Sequence, residues 1–192
     1  ELAAQNNLGA CYEKGLGVTR DYREAVNWYR KAAEQGEIYA QNNLGSCYYY
    51  GNGVLQDYEE AVNWYRKAAE QGMAIAQTFL GNCYLNGKGV SKDYREAVKW
   101  YREAAEQGDS VAQNNLGTCY ANGWGVYKNY SKAINWYKKA AEQGNVDAQT
   151  SLGNYYYYGD RVVQNYEETG NWYKKTGKQS SIKPYEELGS CY

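Results

Sequence analysis

The 192-residue sequence contains no histidine and only a single proline, a single phenylalanine and a single methionine. Histidine is the commonest general base at neutral pH and the commonest nitrogen ligand of metal ions, so its absence argues against both kinds of site. We expect no catalytic residue, no bound metal and no cofactor. The protein is expected to be non-enzymatic.

The sequence also lacks an excess of charge of either sign and lacks long apolar runs. It has 21 basic and 22 acidic residues, a formal net charge of -1, and a mean hydropathy of -0.88. Such a balance offers no field that would attract nucleic acid or an anionic membrane surface. A membrane-spanning helix needs about 20 apolar residues in succession. We therefore expect no nucleic-acid partner and no insertion into a membrane.

Cysteine is sparse and evenly spaced. The five cysteines are Cys11, Cys47, Cys83, Cys119 and Cys191, and Tyr155 occupies the missing place in the series. Equivalent helices that stack about 8–10 Å apart would hold neighbouring cysteines beyond the Cα separation of about 7 Å that a disulfide allows. We predict reduced, buried thiols, which favours a reducing, cytoplasmic compartment.

What the sequence does contain is one pattern, repeated every 36 residues. The segment Ala40–Tyr48 recurs with its first residue at Ala4, Ala76, Ala112 and Ala148. A fixed period of this length indicates a repeat array. Within the segment, apolar residues at i, i+4, i+7 and i+8 share one face of an α-helix, here called helix A.

A second helix, helix B, follows within each period. Helix A ends at a Gly-x-Gly turn such as Gly51–Gly53, and Asp57 is placed to cap helix B, with Glu60 three residues later. Gly72 ends helix B. The sequence predicts helix pairs over about 2–36, 37–72, 73–108, 109–144 and 145–180, with a partial sixth repeat over 181–192, as a single domain over 1–192.

Taken together, the two halves of the period resemble the Sel1-like repeat family, a branch of the tetratricopeptide-like helical solenoids. The shared signature is Ala-Gln-x-x-Leu-Gly-x-Cys-Tyr-x-x-Gly-x-Gly-Val followed by Asp-Tyr-x-Glu-Ala-Val-x-Trp-Tyr-x-Lys-Ala-Ala-Glu-Gln-Gly, and residues 37–72 match it throughout. The resemblance implies an all-α fold: a right-handed α-solenoid (superhelix) of antiparallel helix pairs, with helix A on the concave side. It further implies a scaffold or adaptor that binds a partner protein or peptide in the concave groove. We expect a monomer.

The residues predicted to contact that partner lie mainly on helix A, outside its apolar stripe. Asparagine carries both a donor and an acceptor, and could bond the backbone of an extended peptide. An alternative is that these polar residues only keep an exposed helix face soluble. The candidates are Asn6, Asn42, Asn43, Ser46, Tyr49, Tyr50, Thr78, Asn82, Asn114, Thr118, Trp124, Thr150, Asn154 and Tyr157. Trp124 stands between two turn glycines, where we expect an exposed ring.

Two motifs near the end of the chain suggest a different function. Ser180–Lys183 is a Ser-x-x-Lys and Lys175–Gly177 is a Lys-Thr-Gly, which are elements of serine β-lactamases, a label that some relatives of the family carry. Their order is reversed here, and Lys175–Gly177 aligns with Lys139–Ala141 of the preceding repeat. The alternative of a cell-wall or β-lactam hydrolase is therefore less favoured.

The fifth repeat departs from the pattern. Thr169 and Gly170 replace the Ala-Val pair of helix B, and Gly177 lies in its interior. A glycine inside a helix costs about 0.5–1 kcal/mol relative to alanine. We predict that this repeat is the least stable one.

Overall fold

The computed structural model describes residues 1–158 and 164–179. These residues form ten α-helices and no β-strand. The helices are α1 (Leu2–Lys14), α2 (Tyr22–Ala33), α3 (Ile38–Tyr50), α4 (Tyr58–Glu70), α5 (Ala74–Asn86), α6 (Tyr94–Glu106), α7 (Ser110–Asn122), α8 (Tyr130–Glu142), α9 (Val146–Tyr158) and α10 (Tyr166–Gln179). The odd-numbered helices are the predicted helices A and the even-numbered ones the predicted helices B, so the all-α prediction is confirmed.

The chain divides into two compact units, residues 1–104 and 105–192. In the first unit α1 packs on α2, α2 on α3, α3 on α4 and α4 on α5. In the second unit α7 packs on α8, α8 on α9 and α9 on α10. α3 and α9 thus each lie between their own helix B and the helix B before it.

Side-chain caps begin the helices B at the predicted residues. Asp57 has an extended backbone, and its Oδ1 accepts hydrogen bonds from the backbone N–H of Glu59 at 3.0 Å and of Glu60 at 3.1 Å. Asn129 does the same for Lys132 at 2.9 Å. These bonds satisfy donors that the first turn of a helix leaves unpaired, which explains the acid or amide at this place in each repeat.

The second glycine of the turn is required by a close approach of two chain segments. Gly53 has a φ of 75°, a left-handed conformation that disfavours other residues. A Cβ on Gly53 would also collide with the carbonyl group of Tyr22, at the start of the previous helix B. The Gly-x-Gly turn therefore both ends helix A and lets one repeat pack on the repeat before it.

Apolar clusters lie between a helix B and the next helix A, at α2 and α3, at α4 and α5, and at α8 and α9. One cluster joins Val62 and Tyr65 of α4 to Leu80 and Cys83 of α5, with alanines filling the space between the helices. The prediction of buried, unpaired cysteines is confirmed for Cys47, Cys83 and Cys119; Cys11 is also unpaired but only half-buried, and Cys191 lies outside the described residues. The partial sixth repeat over 181–192 lies outside them as well.

Candidate partner-binding surface

One face of each helix A remains open to solvent. Residues spaced by four, three and four positions share a helix face, and in every described helix A such a set contains no buried member. We call these sets the open stripes. They are Ala3, Asn7, Ala10 and Lys14 in α1; Tyr39, Asn43, Ser46 and Tyr50 in α3; Ile75, Phe79, Asn82 and Asn86 in α5; Val111, Asn115, Thr118 and Asn122 in α7; and Asp147, Ser151, Asn154 and Tyr158 in α9.

The structure corrects part of the predicted site. Asn42 and Thr78 were expected to line a groove, but both are buried, so the prediction that a peptide can reach them is wrong. We call residues at the same position in successive repeats a column. The column of Asn42 and Thr78 lies next to the buried glutamines of the helix and faces the packed interior. Asn6 and Asn114 from the same column are half-buried, and Thr150 is exposed.

Asn43 links two helices A. Its Nδ2 donates a hydrogen bond to Oδ1 of Asn6 at 3.0 Å, which joins α3 to α1. Both asparagines were predicted to contact a partner. The bond shows that these two amides instead hold one repeat against another.

Four predicted residues in the middle of the open stripes are hydrogen-bonded to tyrosines of helix B, of which Tyr65, Tyr101 and Tyr137 are buried and Tyr173 is half-buried. The pairs are Ser46 Oγ with Tyr65 OH at 3.1 Å, Asn82 Oδ1 with Tyr101 OH at 2.7 Å, Thr118 Oγ1 with Tyr137 OH at 3.1 Å and Asn154 Oδ1 with Tyr173 OH at 2.6 Å. A buried phenol needs such a partner, because an unpaired one would lose its hydration without compensation. These side chains therefore provide hydrogen-bond partners for the tyrosine hydroxyls of helix B and also belong to the open stripes.

Tyr49 and Tyr50 form an aromatic cluster with Tyr58, which we call the first tyrosine cluster. The Tyr49 ring makes edge contacts with Tyr50, at 4.9 Å between centroids, and with Tyr58, at 5.1 Å. The ammonium of Lys88 lies 4.9 Å from the Tyr49 centroid and 5.0 Å from that of Tyr58, and it donates a hydrogen bond to the Tyr49 hydroxyl at 3.0 Å. That hydrogen bond raises the pKa of Lys88, so the ammonium remains charged.

Tyr157 belongs to a second tyrosine cluster, together with Tyr158 and Tyr166. The Tyr157 and Tyr158 rings are 4.9 Å apart in an edge contact, and Tyr157 lies 6.0 Å from Tyr166. Tyr158 is 72% exposed and Tyr166 is 65% exposed. The structure thus brings together the aromatic residues that the sequence marked at the end of this helix.

Trp124 is half-buried, so the expectation of an exposed ring is wrong. Leu16, at the equivalent place in the first repeat, is 60% exposed. The most exposed large side chains of the described turns are Leu55, at 91%, and Tyr127, at 97%. Neither Leu55 nor Tyr127 is among the residues predicted from the sequence, although they stand 72 residues apart, two periods, at one place in the repeat.

Three apolar residues of the open stripes were also missed. Tyr39, Ile75 and Val111 are exposed at the start of α3, α5 and α7. A signal was present, since each directly precedes the core alanine of its helix and therefore lies off the apolar stripe.

The Lys-Thr-Gly motif lies within a helix. Lys175, Thr176 and Gly177 belong to α10, where the Lys175 ammonium lies 4.0 Å from the Trp172 ring centroid and Thr176 Oγ1 donates to the Trp172 carbonyl at 3.1 Å. In β-lactamases this motif belongs to an α/β fold. The geometry instead is that of an ordinary helix B, and Ser180, Ser181 and Lys183 lie outside the described residues.

Residues 1–158 and 164–179 contain neither a cluster suited to a metal ion nor a helix suited to span a membrane. No group of three or more histidine, cysteine, aspartate or glutamate side chains in these ranges could hold a metal ion. In the same part of the chain, no helix combines the length and apolar character needed to cross a bilayer.

Comparison with known proteins gives one consistent result. The family model of the Sel1 repeat matches residues 2–37, 38–73, 74–109, 110–145 and 146–181. A protective antigen of uropathogenic Escherichia coli with an SLR fold is 45% identical, with a TM-score of 0.89 over 93% of this chain and 38% of the antigen. A Sel1 repeat protein from Oxalobacter formigenes is 42% identical, with a TM-score of 0.90 over 94% of this chain and 72% of that protein.

A more distant solved structure is cysteine rich protein B of Helicobacter pylori. It is 31% identical, with a TM-score of 0.54 over 67% of this chain and 92% of that protein. No protein with a curated description matches the sequence. The chain spans only 38% of the length of the Escherichia coli antigen.

Proposed function

Because the chain belongs to the Sel1 repeat family, whose members are generally scaffolds for protein–protein interaction, we propose that it binds a partner protein or peptide through the open stripes of its helices A. The fold family is typically non-catalytic, and the proposed role requires no chemistry. The concave groove that the resemblance implies remains part of this proposal, with the open stripes in place of the buried Asn42 and Thr78.

The observation that carries the proposal is the exposure of large apolar side chains at the ends of the stripes. Tyr39 and Tyr50 are each 58% exposed at the two ends of α3, and Ile75 is exposed at the start of α5. Tyrosine is enriched among the residues that dominate binding energy at protein interfaces, because it buries a large area and loses little rotamer freedom. Exposed rings at both ends of one stripe therefore offer two anchors for one partner.

The middle of the stripe is held rigid before any partner arrives. Ser46 is bonded to Tyr65 and Asn82 to Tyr101, and both tyrosines are fully buried. Side chains that are already ordered lose little conformational entropy when they become part of an interface. The stripe therefore combines exposed aromatic ends with a preorganised polar centre.

A selection experiment tests this proposal. The full chain is immobilised, random peptides displayed on phage are selected against it, and the Kd of each selected peptide is measured by calorimetry. Tyr39→Ser and Tyr50→Asn, the latter matching Asn86 and Asn122 of other repeats, are each expected to weaken binding about tenfold or more.

The matched control is Asn63→Ala, on the exposed face of helix B in the same repeat. It is expected to leave the Kd within about twofold of the wild-type value, because that residue lies off the open stripe. Peptides whose affinity falls with Asn63→Ala but not with Tyr39→Ser or Tyr50→Asn would place the binding surface on helix B and contradict the proposal.

A further inference from the structure

The tyrosine that opens each helix B lies beneath a cation in four of the five repeats. The pairs are Arg20 with Tyr22 at 5.6 Å, Lys88 with Tyr58 at 5.0 Å, Lys92 with Tyr94 at 4.9 Å and Lys128 with Tyr130 at 5.0 Å, each measured to the ring centroid. The fifth member of the column is Tyr166. Among residues 1–158 and 164–177, whose side chains the structure describes, no lysine or arginine lies over its ring.

In the second repeat the cation comes from another repeat. Gln56 stands where the first, third and fourth repeats carry Arg20, Lys92 and Lys128, and Lys88 reaches the Tyr58 ring from the turn after α5. The fifth repeat has Gln164 at the same place. Tyr166 therefore shares with Tyr58 the lack of a basic residue two positions earlier.

The surroundings of these two tyrosines correspond in two respects. Tyr49 and Tyr50 are 4.9 Å apart in an edge contact, and Tyr157 and Tyr158 have the same separation and the same kind of contact. The side chain of Gln56 donates to the Tyr49 carbonyl at 2.8 Å. Gln164 donates to the Tyr157 carbonyl at the same distance, 2.8 Å.

The first tyrosine cluster shows what this arrangement binds. Two ring faces attract the Lys88 ammonium, since the π-electrons of an aromatic ring give its face a partial negative charge, and the Tyr49 hydroxyl accepts a hydrogen bond from it. The second tyrosine cluster has the same three rings, with Tyr158 and Tyr166 mostly exposed. Its rings and its Tyr157 hydroxyl are of the same kinds as the groups that contact Lys88 in the first cluster.

We propose that the second tyrosine cluster, Tyr157, Tyr158 and Tyr166, binds the ammonium group of a lysine side chain on the partner protein. The bound lysine takes the place that Lys88 occupies in the first cluster: it lies against the Tyr157 and Tyr166 rings and donates to the Tyr157 hydroxyl. This inference rests on the proposed scaffold function, for which it names the chemistry of the partner.

The test titrates the full-length protein with Nα-acetyl-lysine methylamide and follows the ring resonances of the clustered tyrosines by NMR. We expect saturable shifts of the Tyr157 and Tyr166 rings, with binding about tenfold tighter than that of the neutral analogue Nα-acetyl-norleucine methylamide. The first cluster is expected to show no saturable shift in the wild-type protein, because Lys88 already occupies it.

Two variants sharpen the result. Lys88→Met keeps an apolar stem but removes the ammonium, so the Tyr49 and Tyr58 rings should then respond to the lysine probe as the second cluster does. The double variant Tyr157→Leu with Tyr158→Asn carries the residues found at Leu85 and Asn86 of the third repeat, and should abolish the response of Tyr166.

Several outcomes would overturn the proposal. One is equal binding of the lysine and norleucine probes; another is a response of Tyr166 that survives the double variant. A response that appears only after Arg161→Ala would mean that the protein's own arginine fills the site. Because the probe is a single amino acid, a failure here leaves the peptide-selection result intact, and a failure of that selection leaves this one interpretable.

Discussion

Gly81 lies directly against the ring of Tyr101: a Cβ added to Gly81 would stand 2.6 Å from Cε1 of that ring. Tyr101 is fully buried and its hydroxyl donates to Asn82 at 2.7 Å, so the ring cannot move aside. The same glycine–tyrosine contact recurs in the other repeats, at Gly9, Gly45, Gly117 and Gly153. The Leu-Gly pair of the repeat is therefore dictated by a tyrosine on the next helix.

We predict that Gly81→Ala destabilises the protein by about 1–3 kcal/mol, the usual cost of forcing an extra carbon into a packed core. The gain in helix propensity from replacing a helical glycine is smaller, about 0.5–1 kcal/mol. Urea denaturation measures the net effect. An unchanged or raised midpoint would show that the ring can yield.

Gly170 provides the opposite case. It stands in the interior of α10 where other helices B carry valine or isoleucine, and nothing lies within 4 Å of a Cβ placed there. Gly170→Ala is therefore expected to stabilise the protein by about 0.5–1 kcal/mol through reduced backbone freedom of the unfolded chain. The same denaturation experiment checks it, and a loss of stability would contradict the open space seen beside this residue.

Gln41→Met is predicted to cost about 1–3 kcal/mol, because methionine keeps the shape of glutamine but removes its hydrogen bonds. Gln41 is buried; its Nε2 donates to the Ala33 carbonyl at 3.2 Å, and its Oε1 accepts from Gln71 at 2.7 Å. Thermal and urea unfolding both measure the change. The control is Gln35→Met at an exposed position, and equal losses from the two variants would refute a special role for the buried amide.

Stability should fall at alkaline pH because of the buried thiols. Burial raises the pKa of Cys83 to about 11 and the pKa of Cys119 to about 12, whereas the pKa of a thiol in an unfolded chain is about 8.5. Above that value the unfolded state loses the proton first, so rising pH favours unfolding until the folded pKa is reached. Each thiol contributes a slope of about 1.4 kcal/mol per pH unit in this range.

The measurement is the free energy of unfolding under reducing conditions between about pH 9 and pH 11. This window lies between the pKa of an unfolded thiol and the pKa of folded Cys83. Cys83→Ala should make the decline shallower by the slope of one thiol, even if its absolute stability is lower. Identical slopes for the wild type and this variant would show that Cys83 does not titrate differently in the two states.

Much of the fold follows from local patterns. Asp57 caps its helix as the sequence predicts, because a cap joins groups only two or three residues apart. Gly51 takes the left-handed conformation expected at the end of a helix, with a φ of 75°. Because the sequence pattern repeats, the same local structure recurs along the chain. The resemblance to the Sel1 family is confirmed by the comparisons.

The candidate surface was predicted less well. Asn42 and Asn43 are adjacent and chemically identical, yet the first is buried and the second bonds Asn6 of another helix. Ser46 pairs with Tyr65, 19 residues away. Which of two polar neighbours faces solvent depends on the rotation of helix A against the helices beside it, and the repeat pattern alone does not specify that rotation.

The sequence by itself determined the helix pairs, their caps and turns, and the alanine, leucine and cysteine core, since these depend on backbone propensity and on the spacing of apolar residues. Only the tertiary structure decided which polar residues remain open. It also decided that Lys88 occupies one tyrosine cluster while no cation of the described residues lies over Tyr166. The physical reason is that these contacts join residues of different helices that are far apart in the sequence, and their geometry is set when the helices pack against one another.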